Sequence, residues 1–185
     1  MPRLNERVVR TDIARLLSWR ESYDHAVSNP NANERAVELA RLAASKDDIV
    51  TQIALASLAR EGPAAADALR PLLDDESLLW EHSKILDTIA VTNAKDIRLA
   101  PIIRRENRYW ARTCGRKLDP NWLSNYGQPP SYHYDRLVSA LRAVHALGIS
   151  SDLPGVLESG RLIEHCRYLS HQWELLDAIN LFRAK

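Results

Sequence analysis

Cysteine, methionine, phenylalanine and glycine are scarce in this chain of 185 residues: two, one, one and six. No phosphate-cradling glycine loop, nucleophile elbow or zincin helix motif occurs, so the common signatures of catalysis are missing. Two cysteines, Cys114 and Cys166, are too few for a disulfide framework or a zinc cage, and on predicted helices they read as small core residues. His165 and His171 lie six apart in sequence, which does not put them on one helix face, so neither a metal nor a cofactor is expected. No apolar run approaches the length of a membrane span, and the stretch from Met1 to Glu6 has no apolar signal core. The expectation is a cytoplasmic protein without a membrane partner. Lysine is also rare, five against twenty arginines. A formal net charge of +1 gives no global field that would select nucleic acid or membrane.

What is present is an internal echo. Leu69, Pro71, Leu72, Leu73, Glu76 and Trp80 return thirty positions later as Leu99, Pro101, Ile102, Ile103, Glu106 and Trp110. A period in this range points to stacked supersecondary units. Hydrophobic spacing predicts helices throughout and no strand. They are a first helix to about Ala26, then Glu34 to Ala44 with Asn33 as N-cap, and Asp48 to Arg60. A short Pro-containing helix from Pro63 to Leu73 is followed by its longer partner from Glu76 to Val91. The same alternation is expected from Lys95 to Arg104 and from Asn107 to Leu118. After it come Asp135 to Leu147, Asp152 to Glu158, and a long terminal helix from Arg161 to Phe182. Pro120, Gly127, Pro129 and Pro130 make the stretch near 119–131 a long irregular loop.

The alternation of short Pro-containing helix and longer partner resembles HEAT repeats, especially the short variety of phycobilisome-lyase-like proteins. Three stretches carry it: Ala68 to Glu76, Asp96 to Ile103, and Leu137 to Gly148 followed by Asp152 to Leu157. The resemblance implies an all-α fold, a right-handed helical-repeat solenoid (a HEAT-like α-α superhelix). In that reading residues 1–47 are N-terminal capping helices and 48–118 are repeats. The loop 119–131 follows, and 132–185 hold a further repeat and a C-terminal capping helix. Trp80 and Trp110, equivalent in the echo, are expected together in the inter-repeat core.

Basic residues gather in the second copy. Arg104, Arg108, Arg112 and Arg116 are spaced four apart, with Arg105 beside them, and the following segment supplies Trp122, Tyr126 and Tyr132. Arginine interleaved with aromatics suits an acidic protein surface, or a nucleic-acid backbone with stacked bases. The leading expectation is a non-enzymatic protein-binding module, of the kind that serves as an inhibitor, an adaptor or a bacterial immunity protein neutralising a toxin. The alternative is nucleic-acid binding by the Arg98–Lys117 stripe. A third reading, a DNA-repair-like glycosylase, needs a deep groove with a carboxylate facing tryptophan.

Overall fold

The computed structural model describes residues 6–95, 97–114, 131–166, 169 and 173–183. Among them the chain is helical without strands. The helices are α1 (Glu6–Ser28), α2 (Ala32–Ala43), α3 (Asp48–Leu58), α4 (Pro63–Leu69), α5 (His82–Ala90), α6 (Ala100–Cys114), α7 (Ser131–Leu147), α8 (Leu153–His165) and α9 (Trp173–Arg183). Short 3-10 turns at Arg70–Asp74, Glu76–Leu78 and Ser150–Asp152 connect them. None of these helices is long and apolar enough to cross a membrane.

Local chemistry sets the helix ends. The N-cap of α2 is Asn31, not Asn33. Its side-chain oxygen accepts the backbone N–H groups of Asn33 and Glu34, which have no partner within the helix. Asp47 does the same for Ile49 and Val50 at α3. Gly62 stops the chain at a left-handed φ of 63°, and Pro63 restarts it where no amide donor is needed.

The helices pack as much on the helix two places along the chain as on the adjacent one, and α5 with α7 is the most extensive pairing. α2 lies on α3 and α4, α3 on α5, and α5 on α7. α6 lies between α7 and α8, and α9 closes on α7 and α8. α7 has the most buried face, with Leu137, Ala140, Leu141, Ala143, Val144 and Leu147 all in the core. Each large side chain removed from water in this way contributes about 1.5–3 kcal/mol.

The two copies of the echo fold differently. After Pro71 the chain tightens into a 3-10 turn, and the Asp75 carboxylate accepts the Ser77 N–H at 2.8 Å, ending the segment. Position 105, thirty residues on, is arginine and cannot cap. With Pro101 in the first turn, where its missing donor costs nothing, α6 continues unbroken through Arg104–Asn107. The expected break into 95–104 and 107–118 is therefore absent, and α6 packs on α7 and α8. Trp110 consequently lies inside α6, 2% exposed, whereas Trp80 sits in the turn before α5 at 66%. The two tryptophans are not equivalent, and Trp80 is not a core residue.

The expected terminal helix 161–182 is also divided. The backbone at Cys166 is extended (φ −115°, ψ 103°), which ends α8, and α9 begins at Trp173. Trp173 is exposed, and Leu175, Ala178 and Ile179 form the buried stripe instead.

α6 and α8 approach closely because Gly155 has no side chain: a Cβ there would lie 3.1 Å from Ile103 Cγ2. The Asn107 amide donates to the Gly155 carbonyl at 3.0 Å, and the Ser159 hydroxyl donates to Asn107 Oδ1 at 2.7 Å. Asp152 accepts the Leu99 N–H at 3.1 Å. At the far end Cys114 and Cys166 form a disulfide with a Cα–Cα distance of 5.3 Å. This corrects the reading of the two cysteines as unlinked core residues; sequence spacing could not show that two helix ends 52 positions apart coincide. Closing a loop of that length corresponds to roughly 4 kcal/mol in the chain-entropy account.

Candidate functional site

The amphipathic pattern of α6 places Ile102, Ile103, Glu106, Asn107 and Trp110 inward and Arg104, Arg108 and Arg112 outward, all three exposed. At four-residue spacing the α-carbons of the arginines stand about 6 Å apart along the axis. Among the described residues none of the three has an acidic partner; Arg108 Nε donates to the Arg104 carbonyl at 3.3 Å. Like charges at this spacing destabilise a helix by about 0.2–0.5 kcal/mol per pair. Arg105, half-buried, reaches Asp74 at 4.0 Å, a solvated contact of little energetic weight. Arg116, Trp122 and Tyr126 lie outside the described residues, as does most of the expected loop 119–131. Its last position, Ser131, is the first residue of α7.

Tyr132 stands in the first turn of α7 and is half-buried. Its ring meets Trp80 edge to face, with centroids 5.1 Å apart. His133 follows at 4.5 Å from Tyr132 and stacks on Tyr109 of α6 at 3.5 Å. An aromatic row thus runs Trp80, Tyr132, His133, Tyr109 across three elements. It lies on the flank of α6 that also carries Arg105, one turn before Tyr109. Of the expected site the structure places Arg104, Arg108 and Arg112 on the outer face of α6 and Arg105 on its flank, and it connects Tyr132, with Trp80, to that flank through His133 and Tyr109.

Beneath the row lies a buried charged centre that sequence reading missed. Glu106 is 0% exposed and Arg136 2%. One Glu106 oxygen pairs with Arg136 Nη2, and the other accepts from His133 Nδ1 at 2.8 Å. Arg136 Nη1 donates to His82 Nδ1 at 2.9 Å. A guanidinium has no acceptor, so His82 must be neutral with its proton on Nε2. That proton is directed at the carbonyls of Leu72 and Asp75, at 3.0 and 3.1 Å. Burial first, and the Arg136 charge second, hold His82 below its ordinary pKa. The network therefore grips both supports of the aromatic row: the turn leading to Trp80 through His82, and His133 through Glu106.

A signal for this centre exists in the sequence. Glu106 falls on the apolar stripe of α6, and Arg136 begins the stripe continued by Ala140, Ala143 and Leu147. Opposite charges on two inward faces must meet each other, because a buried unpaired charge is prohibitively costly. No group of three His, Cys, Asp or Glu among the described residues is arranged to hold a metal. No family model, no curated protein and no solved structure matches this chain.

Proposed function

We propose that this chain is a non-enzymatic helical module that binds another protein through the basic face of α6 and the adjoining aromatic row. The observation that carries the reading is Trp80, exposed yet held by Tyr132, in a row that reaches Tyr109 on the helix whose Arg104, Arg108 and Arg112 have no acidic partner among the described residues. Tryptophan, tyrosine and arginine dominate binding energy at interfaces, and ordered rings lose little entropy on docking. The partner surface would be acidic.

As part of the same proposal the architecture is a HEAT-like right-handed superhelix. Its support is the packing order, in which α2–α3, α4–α5, α6–α7 and α8–α9 form successive pairs that lie mainly on the next pair. We assign the module to the cytoplasm as an inhibitor, an adaptor or a bacterial immunity protein. Glu106, the buried carboxylate beside Tyr109 and Trp110, already has both oxygens engaged by Arg136 and His133, which weighs against a glycosylase-like role.

The test is affinity purification from the native cell with the intact chain and with a Trp80→Ala/Arg108→Glu variant. A stoichiometric protein should be retained by the first and lost by the second, with unchanged helicity and melting temperature. Recovery of no such protein overturns the reading. Salt-sensitive retention of an oligonucleotide in a gel shift, lost in the same variant, would replace it with nucleic-acid binding.

A further inference from the structure

The disulfide sits where the other links between α6 and α8 run out. The Leu99–Asp152 bond and the Asn107–Gly155–Ser159 bonds pin the first half of the helix pair. Beyond Asn107, from Arg108 to Cys114, no polar bond joins the two helices among the described residues, and the link there is Cys114–Cys166. Cys114 is the last residue of α6, the helix that carries Arg108 and Arg112, and Cys166 is the C-cap residue of α8. The two residues differ in exposure. Cys114 is half-buried, whereas Cys166 is 2% exposed.

We propose that Cys114 and Cys166 form a reversible redox clamp that fixes the last two turns of α6 against α8. The reductant is a small or protein dithiol. Its thiolate attacks the sulfur of Cys114, the more exposed residue, the Cys114–Cys166 bond breaks, and Cys166 leaves as a thiolate that takes up a proton. The second thiol of the reductant then attacks the mixed disulfide and releases Cys114 as a thiol. Two electrons and two protons pass to the protein, and the dithiol becomes a disulfide. In the reduced form the first half of the interface keeps its pins, and the ends of both helices open locally. Reversibility fits a cytoplasmic chain, where disulfides that do occur are mostly transient or redox-sensing. The clamp's place stands on the α6–α8 geometry; its reversibility rests on the proposed cytoplasmic setting, and its consequence for the arginine face on the proposed binding role.

The test is hydrogen exchange on the full chain, oxidised and after dithiothreitol, with the thiol state fixed by alkylation and mass. Reduction should add two hydrogens and accelerate exchange of amides 108–114 and 159–165 by at least about tenfold. Amides near Leu99, Ile103 and Asp152 should keep their protection. Cys114→Ser and Cys166→Ser should each reproduce the reduced pattern. If the singly substituted chains fail to fold, the reduced wild-type protein still decides the matter. Free thiols in protein kept in air, an unchanged exchange pattern, or acceleration spread over the whole molecule would each overturn the clamp.

Discussion

Arg136 Nη1 and His82 Nδ1 lie 2.9 Å apart in the core, and the arginine can only donate. The imidazole is thereby held neutral in a single tautomer, with its other nitrogen directed at the turn that precedes Trp80. Burial and the facing guanidinium both oppose its protonation.

Stability should therefore fall in mild acid. Above the ordinary histidine pKa of about 6.5, folded and unfolded chains both hold His82 neutral, and its contribution is complete. As pH drops below that value the unfolded chain takes up a proton that the folded chain refuses, so stability is lost, and the loss levels off below the depressed folded pKa. Urea midpoints between pH 8 and pH 5 measure this. His82→Gln should flatten the slope; an equally steep curve in that variant would show that other groups cause it.

Breaking the Glu106–Arg136 pair from one side should be far worse than removing both partners. Arg136→Met or Glu106→Leu leaves a buried charge with no ionic partner and should cost roughly 3–5 kcal/mol. The double variant should recover most of that loss in urea denaturation. Additive losses would mean that the two side chains act independently.

The two glycines of α8 should respond oppositely to alanine. At Gly160 the new Cβ would find its nearest neighbour, Ile179 Cγ2, at 3.9 Å, so better helix propensity should stabilise by up to about 1 kcal/mol. At Gly155 it would press on Ile103, which is fully buried, and the overpacking should destabilise by about 1–3 kcal/mol. Thermal melts of the two variants give the comparison directly.

Trp110→Ala should lower stability by about 3–5 kcal/mol through the cavity it leaves. Trp80→Ala should change it by no more than about 1 kcal/mol, since the ring is mostly exposed and meets Tyr132 by an edge contact. Similar losses at both positions would contradict the inequivalence of the two sites.

Much of the helical layout was legible because it follows from short-range chemistry. The helices expected from Glu34, Asp48 and Pro63 all depend on residues within a turn or two of each other. The sequence echo misled where one residue outweighed the shared ones: Asp75 can cap and Arg105 cannot, so similar stretches end as a turn and as a continuous helix. The arginine face could be read because four-residue spacing maps directly onto one helix side. The Glu106–Arg136–His82 centre and the Cys114–Cys166 bond escaped for a common reason. Each joins elements tens of residues apart, and no local period records which inward faces will meet.

The bond between Cys114 and Cys166 also alters how the molecule is connected. It closes a covalent ring that contains all of α7 and all of α8, including Arg136 and the buried face of α7. A single cut anywhere inside that ring leaves both fragments attached, and they separate only when the sulfurs are reduced. Backbone integrity and molecular integrity are therefore distinct properties of this chain, and the oxidised protein can lose the first while keeping the second.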